Sequence, residues 1–304
     1  MEETQVSLTA LMAAYQRGYH AEHDDPKIFD DFLAFQLLSQ AERALFEQQY
    51  TKMVEKYFPE RLFVNKASAL EFFIQNISST SDMISRARYT EDNLEEAVKN
   101  QGIQQYVILG AGLDTFVFRR PDMLNQLRVF EVDHPVTQAF KRQRIAELGW
   151  EKPLNLHFVP VDFKKENLQT ALNRSSYDSH ALTFFSWLGV TYYLPNDIVF
   201  ATLGTIADMV PAGSCINFDY YDREAFVPGK VARRMQGWKQ YTQQAGEPII
   251  TGFDPSALAV DLASLGLRIH ENLGPAEIES RYFQGRTDSY HATEHTHYAW
   301  AIVG

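Results

Sequence analysis

The stretch Tyr106-Val107-Ile108-Leu109-Gly110-Ala111-Gly112-Leu113-Asp114-Thr115 decides the fold, because an apolar run ends there in two glycines one residue apart. Successive apolar residues followed by turn residues predict a strand buried on both faces, as in a parallel sheet. The two glycines allow the backbone to approach a bound ligand closely. We therefore expect a nucleotide-type site at the carboxyl end of this strand.

A second predicted strand ends in carboxylates. It spans residues 127–133 and closes with Glu131-Val132-Asp133, about twenty residues after the second glycine. In nucleotide-binding α/β sheets, an acidic residue at that distance accepts hydrogen bonds from ribose hydroxyls. Glu131 and Asp133 alternate with apolar residues and point to one side of the strand, and Asp133 is the better placed for a ribose diol.

The type of nucleotide follows from what the glycine turn lacks. A dinucleotide fingerprint has a third glycine at position 115, where this chain has Thr115. The next segment, 116–121, is too short before Pro121 for the long helix that receives a pyrophosphate. An NAD(P)-dependent oxidoreductase is therefore the weaker alternative. S-adenosylmethionine, which carries a ribose and an amino-acid tail but no phosphate, fits better.

Composition limits the class of protein. The chain has 304 residues, is 45% hydrophobic and has a formal net charge of -11, so it can bury a large core and is an unlikely partner for nucleic acid or an anionic membrane surface. Cys215 is its single cysteine, and we expect an inert buried thiol in a reducing compartment. No apolar run is long enough to span a membrane or resembles a signal peptide, which predicts a cytoplasmic protein.

The order of predicted elements indicates an α/β fold. Residues 1–103 read as a helical cap, with a capping box at Ser39-Gln40-Ala41-Glu42 and a last helix starting at Thr90. From residue 104 to 304, strands and helices alternate as in a doubly wound, mostly parallel sheet of seven strands. The last two strands are expected to pair antiparallel. A polar, aromatic insertion at about 222–252 interrupts this core.

Further candidate residues follow from the rule that ligands bind outside the carboxyl ends of parallel strands. After the third strand, Asp162 is expected to accept from an adenine amino group, while Phe163 packs on the ring. The alternative for Asp162 is an ordinary helix N-cap. After the fourth strand, the loop from Trp187 to Tyr193 is expected to face the same site.

Several motifs occur in a fixed order along nearly the whole chain. They are Thr9-Ala10-Leu11 through Phe29-Asp30-Asp31, Arg86-Ala87-Arg88-Tyr89, Val107 to Thr115, Phe130-Glu131-Val132-Asp133-His134-Pro135, Val161-Asp162-Phe163, and Trp187-Leu188-Gly189-Val190-Thr191-Tyr192-Tyr193-Leu194. In this order they resemble the leucine carboxyl methyltransferase family of S-adenosylmethionine-dependent enzymes, especially its bacterial O-methyltransferase branch. The resemblance implies a Rossmann-like methyltransferase core.

The resemblance also implies roles for individual residues. The turn Gly110-Ala111-Gly112 would lie against the methionine part of the cofactor, Asp133 would hold the ribose with Glu131 nearby, and Asp162 and Phe163 would flank the adenine. Trp187 would line the cofactor site.

An arginine before the first strand would pair with the cofactor's carboxylate in this family. We assign that role to Arg88, with Arg86 as the competitor. This chain departs from the family at Leu188, where relatives usually have an acid, and the departure affects one cofactor contact or the chemistry beside it.

The expected reaction is transfer of a methyl group to a carboxylate or hydroxyl oxygen of a small molecule, with secondary metabolism as one setting. A carboxylate needs no general base, whereas an alcohol or phenol benefits from one. His20, His23, Tyr220 and Tyr221 are candidates, and none is singled out. The residues expected to line the substrate pocket are Tyr192, Tyr193, Tyr220, Arg223 and Trp238.

Two other readings remain open. The series His291-x-x-x-His295-x-His297 has spacings that suit a metal site, but His297 falls inside the last predicted strand, and we expect no metal. A non-catalytic S-adenosylmethionine-binding protein is the second alternative, since Leu188 replaces an acid. The sequence leaves the oligomeric state and the methyl acceptor open.

Overall fold

The computed structural model describes residues 6–162 and 165–304. In these ranges a seven-stranded sheet has the order β3-β2-β1-β4-β5-β7-β6. The strands are β1 (Gln105–Leu109), β2 (Arg128–Asp133), β3 (Leu156–Pro160), β4 (Thr183–Trp187), β5 (Cys215–Tyr221), β6 (Leu267–Leu273) and β7 (Thr296–Val303). The mostly parallel, doubly wound sheet predicted from the sequence is confirmed.

The helices of the described ranges lie before, between and after these strands. They are α1 (Leu8–His23), α2 (Gln40–Tyr57), α3 (Lys66–Asn76), α4 (Thr80–Gln101), α5 (Phe116–Arg119), α6 (Pro135–Glu147), α7 (Leu168–Asn173), α8 (Asn196–Met209), α9 (Arg233–Gln244), α10 (Leu258–Ala263) and α11 (Pro275–Ile278). No helix among them is long and apolar enough to cross a membrane.

The strand β1 occupies the middle of the sheet. All five of its residues are buried, and it pairs in parallel with β2 on one side and with β4 on the other. The carboxyl ends of these three strands therefore lie side by side. The antiparallel end of the sheet is also as predicted, because β7 pairs antiparallel with both β5 and β6.

Apolar side chains fill both faces of the sheet. On one face, Tyr106 and Ile108 of β1 pack in a cluster with residues of the N-terminal helices. On the other, Val107 and Leu109 pack with residues of α7, α8 and α10. Alternate residues of β1 thus serve opposite cores, as expected for a central parallel strand. The division into a cap at 1–103 and a core with an insertion stays a prediction.

One helix boundary was predicted wrongly. The last helix before β1 begins at Thr80, ten residues before the predicted start at Thr90. Its first turns carry polar side chains, including Asp82 and Arg86, that are buried in the protein interior. This buried polar stretch lacks the apolar periodicity that identifies a helix in a sequence. By contrast, the capping box of Ser39 and Glu42 is confirmed at the start of α2.

Candidate active site

A cavity of about 440 Å³ opens at the carboxyl ends of β1, β2 and β4. Its floor is the turn 110–114 after β1, and its walls include Asp133 at the end of β2 and residues 188–190 and 192–194 after β4. Residues of α1 and α4 cover it from the side of the helical segment, and residues 246–248 of the insertion complete the wall. This is the place where open α/β sheets bind their ligands.

The glycine turn depends on its lack of side chains. Gly110 and Gly112 have φ angles of 69° and 51°, in the left-handed region that favours glycine. A Cβ atom at position 110 would stand 2.6 Å from Val190 Cγ2, and one at position 112 would stand 3.2 Å from Ala10 Cβ. Side chains at these positions would therefore push α1 and the loop after β4 away from the turn.

Asp133 joins the ends of β1 and β2. Its carboxylate accepts hydrogen bonds from the backbone N–H groups of Gly112 and His134. Burial raises the pKa of Asp133, and these two backbone hydrogen bonds counteract part of that rise. The side chain is thus fixed at the edge of the cavity, with the glycine turn beside it.

Arg86 lies on α4 and lines the cavity. Its Nη1 donates to Asp219 Oδ2 at 2.8 Å and to the Tyr192 hydroxyl at 3.1 Å. Gly189, after β4, leaves the space that the guanidinium occupies, since a Cβ there would lie 2.5 Å from Nη2. The other oxygen of Asp219 accepts from the Gly189 backbone N–H at 2.6 Å. Arg86 is therefore held rigidly at the cavity wall.

The family of the chain follows from a comparison with known sequences. The sequence profile of the leucine carboxyl methyltransferase family matches residues 10–207, which is more than half of the 304 residues. The chain belongs to the leucine carboxyl methyltransferase family. The resemblance seen in the sequence motifs is thereby confirmed.

Named relatives agree with this family. The chain is 36% identical over 305 residues to the Bacillus subtilis protein named "Putative S-adenosyl-L-methionine-dependent methyltransferase YktD", with 99% of each chain covered. It is 29% identical over 253 residues to the similarly named Rv0830 of Mycobacterium tuberculosis, covering 83% of this chain and 75% of that one.

Solved structures support the fold. One is described as a "putative methyltransferase" from Thermobifida fusca YX and superposes with a TM-score of 0.59 at 16% identity, covering 99% of this chain and 96% of that one. A DUF574 family protein from Streptomyces avermitilis superposes with a TM-score of 0.57 at 13% identity, covering 96% and 97%. At these identities the likeness concerns the fold alone.

The two candidate arginines lie on different sides of α4. Arg88 lies outside the cavity lining, where its side chain is 48% exposed and pairs with Asp92. Arg86 lines the cavity instead. Two residues correspond to a rotation of about 200° around a helix, so only one of the two arginines can face the cavity. The arginine of this pair that lines the cavity is therefore Arg86, the competitor of Arg88 in the assignment from sequence.

Glu131 also differs from the prediction, because it is not among the described residues that line the cavity. It lies two residues before the end of β2, roughly 6 to 7 Å along the strand from Asp133, where α6 covers it. Its Oε2 accepts from Lys141 Nζ at 2.5 Å, and both side chains are 1% exposed. Burial raises the pKa of Glu131 to about 7, although the Lys141 charge opposes the rise. Glu131 therefore supports α6 rather than a ligand.

Lys141→Met is expected to destabilise the protein by about 3 kcal/mol, because it leaves the buried Glu131 carboxyl without its partner. The loss should grow as the pH rises above about 7, the pKa of Glu131 in the folded wild type, because without Lys141 the buried acid keeps its proton to a higher pH while both unfolded chains release it equally. Urea unfolding at several pH values measures both effects. Lys230→Met removes an exposed ion pair with Glu224 and should change little. Equal unfolding midpoints for the two variants would contradict this account.

Trp187 was expected to line the cofactor site and does not. Side chains alternate along β4, so Ser186 faces the cavity. Its hydroxyl forms a hydrogen bond with the Tyr106 hydroxyl at 2.9 Å. Trp187 points to the opposite face, where it packs in the core with Val107 and Leu109. Leu188, the residue that departs from the family pattern, lies in the cavity wall.

Asp162 lines the cavity after β3, as expected. It pairs with Lys165 at 3.0 Å. The alternative interpretation as an N-cap does not apply to α7, because Asn167 caps that helix. Phe163, which was predicted to pack on the adenine, lies outside the described residues.

Two of the five predicted substrate residues, Tyr192 and Tyr193, line the cavity. They stack edge to face with ring centroids 4.7 Å apart. Burial raises the pKa of both hydroxyls, although the Arg86 charge opposes the rise. Both tyrosines therefore present protonated hydroxyl groups at neutral pH.

The other three predicted substrate residues lie elsewhere. Tyr220 stacks on His297 with ring centroids 4.9 Å apart, deeper in the sheet. Arg223 is exposed in a short turn after β5. Trp238 stacks on Tyr241 at 5.6 Å between α9 and the N-terminal helices. A prediction based on residue type alone did not separate these aromatic packing positions from the cavity wall.

The candidate general bases are occupied in other contacts. His20 Nδ1 lies 2.7 Å from Asp24 Oδ2, and its Nε2 accepts from the Ile28 backbone N–H at 2.8 Å. His23 stacks on Tyr19 at 4.2 Å. Tyr221 stacks on Tyr192 with ring centroids 4.4 Å apart and is not among the described residues that line the cavity. Thus none of the four candidate bases is among the described residues that line the cavity.

A group of polar residues that was not predicted from the sequence joins α1 to the glycine turn. Arg17 Nε pairs with Asp31 at 2.8 Å, and its Nη2 donates to the Leu113 carbonyl at 2.9 Å. Asp31 also accepts from the Thr115 hydroxyl at 2.5 Å. Asp31 and Thr115 fall within motifs that carry the family resemblance, but these residues are far apart in sequence and no spacing marks them as contact partners. They fix the helical segment against the floor of the cavity.

The C-terminal histidines have structural partners. His295 Nδ1 lies 3.0 Å from Asp222 Oδ1, and His297 Nε2 lies 3.5 Å from Asp222 Oδ2. Within residues 6–162 and 165–304, no group of three or more His, Cys, Asp or Glu side chains is arranged to hold a metal ion. Asp222 instead connects the start of the insertion to β7.

Proposed function

We propose that this chain transfers a methyl group from S-adenosylmethionine to a carboxylate or hydroxyl oxygen of a small molecule. Its membership of a methyltransferase family and the name of its relative YktD identify it as an S-adenosylmethionine-dependent methyltransferase. The choice of oxygen and of a small acceptor is the proposed part. One observation supports it most: a single cavity connects the glycine turn and Asp133 with the aromatic pair Tyr192 and Tyr193.

The charge of the cavity suits a cationic cofactor. Among the described residues, its lining carries more carboxylates than arginines, namely Asp31, Glu91, Asp114, Asp133, Asp162 and Glu247 against Arg17, Arg86 and Arg119. Each of these arginines is already paired with a carboxylate. A net negative cavity stabilises a positively charged ligand. The two glycines also leave the floor free of side chains, so the residues present fit S-adenosylmethionine.

Individual residues can be assigned to parts of this cofactor. Asp133 would accept hydrogen bonds from the ribose hydroxyls, and Arg86 would pair with the carboxylate. Asp162 lies on the side expected for the adenine. When bound, S-adenosylmethionine supplies a methyl group on a positively charged sulfur, which is already a strong electrophile.

The remaining task for the protein is to position the acceptor and exclude water. Tyr192, Tyr193, Leu188 and Leu194 line the side of the cavity after β4, and their rings and apolar atoms would hold a small organic acceptor. Holding the nucleophile about 3 Å from the methyl carbon and in line with the breaking bond accounts for much of the acceleration of such a reaction. The cavity volume of about 440 Å³ falls within the usual range of small-molecule sites, roughly 300–1,000 Å³.

Methyl transfer from radiolabelled S-adenosylmethionine to small carboxylic acids and phenols tests the proposal. We expect a methyl ester or a methyl ether as the product, and no product with Asp133→Ala. Transfer to nitrogen, or to protein or nucleic acid only, would contradict the oxygen or small-molecule part. Cofactor binding without transfer to any acceptor would favour the non-catalytic alternative.

A further inference from the structure

A single carboxylate on the insertion differs from the others around the cavity. Glu247 follows α9, and it lines the cavity together with Gly246 and Pro248. Ser7 donates from its hydroxyl to Glu247 Oε1 at 3.1 Å. The second oxygen, Oε2, is buried, and no group among the described residues donates a hydrogen bond to it.

The other carboxylates of the lining have partners. Asp31 pairs with Arg17 at 2.8 Å, Glu91 accepts from Arg119 Nη1 at 3.0 Å, and Asp114 accepts from the Phe116 backbone N–H at 2.7 Å. Asp133 and Asp162 have the partners given above. Glu247, in contrast, forms no ion pair with a described residue. Its side chain is half-buried, and a carboxylate taken partly out of water is stabilised by a positive charge beside it.

Contacts on both sides fix the position of Glu247. Ser7 caps α1 by accepting from the Ala10 backbone N–H at 3.2 Å, and Ala10 packs on Gly112 of the glycine turn. On the other side, the Ile250 and Thr251 backbone N–H groups donate to the Tyr192 carbonyl at 2.8 and 3.2 Å. The carboxylate is therefore held between the glycine turn and the loop after β4. In that loop, position 188 contributes an apolar leucine to the wall.

We propose that Glu247 is the group to which the cavity binds an ammonium ion of its ligands. An ammonium offers three donors and a full positive charge, so it pairs with a carboxylate that lines the cavity and has no cationic partner among the described residues. A carboxylate on the acceptor would be repelled at the same place. The ammonium has two possible sources, the α-amino group of S-adenosylmethionine and an amine on the acceptor. The inference rests on the S-adenosylmethionine assignment but not on the choice of an oxygen acceptor.

Calorimetry with Glu247→Gln distinguishes the two sources. The probes are S-adenosylhomocysteine, which carries the amino-acid part, and 5′-methylthioadenosine, which lacks it. If the cofactor supplies the ammonium, the affinity for S-adenosylhomocysteine falls about tenfold or more, because a charge-assisted hydrogen bond is lost. The affinity for 5′-methylthioadenosine then changes by less than about twofold, which also shows that the variant is folded.

If the acceptor supplies the ammonium, both nucleosides bind Glu247→Gln as they bind the wild type. Tyramine and 4-methylphenol, which differ in the ammonium-bearing arm, are then titrated into the S-adenosylhomocysteine complex. We expect tyramine to lose about tenfold in affinity and 4-methylphenol to lose none. Glu224→Gln is the matched control, since Glu224 lies on the same insertion and is exposed.

The proposal is wrong if Glu247→Gln binds S-adenosylhomocysteine like the wild type and shows no loss of tyramine affinity, including the case in which the wild type does not bind tyramine. An equal loss for S-adenosylhomocysteine and 5′-methylthioadenosine would also overturn it, because that pattern indicates general damage to the site. If neither nucleoside binds the wild type, the cofactor assignment itself fails, which is a different result from a failure at Glu247 alone.

Discussion

Asp133→Ala is expected to weaken the binding of S-adenosylmethionine at least about 100-fold. The substitution removes the carboxylate proposed to hold both ribose hydroxyls, and hydrogen bonds to a charged group contribute about 1.5–3 kcal/mol each. In the wild type, the Gly112 and His134 backbone N–H groups donate to Asp133. The substitution removes this acceptor, so the glycine turn loses its connection to β2. Isothermal titration calorimetry measures the effect directly.

Two further variants serve as controls for this result. Asp133→Asn keeps the size of the side chain and part of its acceptor capacity, so it should retain more affinity than the alanine variant. Asp122→Ala removes an exposed carboxylate that pairs with Arg120, and it should bind S-adenosylmethionine like the wild type. If Asp133→Ala binds the cofactor within about threefold of the wild type, which corresponds to less than one hydrogen bond to a charged group, Asp133 does not hold the ribose.

Arg86→Ala is expected to show the second large effect, with at least about tenfold weaker binding of S-adenosylmethionine, because a charge-assisted pair with the cofactor carboxylate is lost. The protein should also become less stable by about 3 kcal/mol, since Asp219 remains buried without its cation. Arg88→Ala is the matched control two residues away on the same helix. Calorimetry and urea unfolding on both variants separate the two effects.

A comparison of S-adenosylmethionine with 5′-methylthioadenosine identifies the part of the cofactor that Arg86 contacts. With Arg86→Lys, which keeps a positive charge near Asp219, we expect the stability to recover more than the affinity, because lysine cannot form the bidentate pair. Binding of 5′-methylthioadenosine, which has no carboxylate, should be nearly unaffected by Arg86→Lys. A loss of affinity in Arg88→Ala that equals the loss in Arg86→Ala would restore the original assignment to Arg88.

The sequence predicted the sheet well because the signals of its strands are local. The apolar run before Gly110 and the terminal acid Asp133 each lie within a few residues of the turn that they define. Likewise, Ser39 and Glu42 form their capping box within a single turn. The start of α4 was missed because its polar face is buried against other elements. In a sequence pattern, polar residues indicate solvent-exposed positions.

The site was predicted less completely because its walls combine distant segments. The face of α4 that lies towards the cavity decides between Arg86 and Arg88. In the same way, the alternation of side chains along β4 places Trp187 on the face opposite the site. Neither choice can be read from residue type. Glu247 was missed because its contact with Ser7 joins residues 240 positions apart, and no motif marks either of them.

Isothermal titration calorimetry of the wild-type protein with S-adenosylmethionine and, separately, with NAD tests the central claim most directly. The account predicts binding of S-adenosylmethionine in the micromolar range and no binding of NAD, because the helix after the glycine turn is only four residues long and offers no site for a pyrophosphate. Binding of NAD without binding of S-adenosylmethionine would contradict the account.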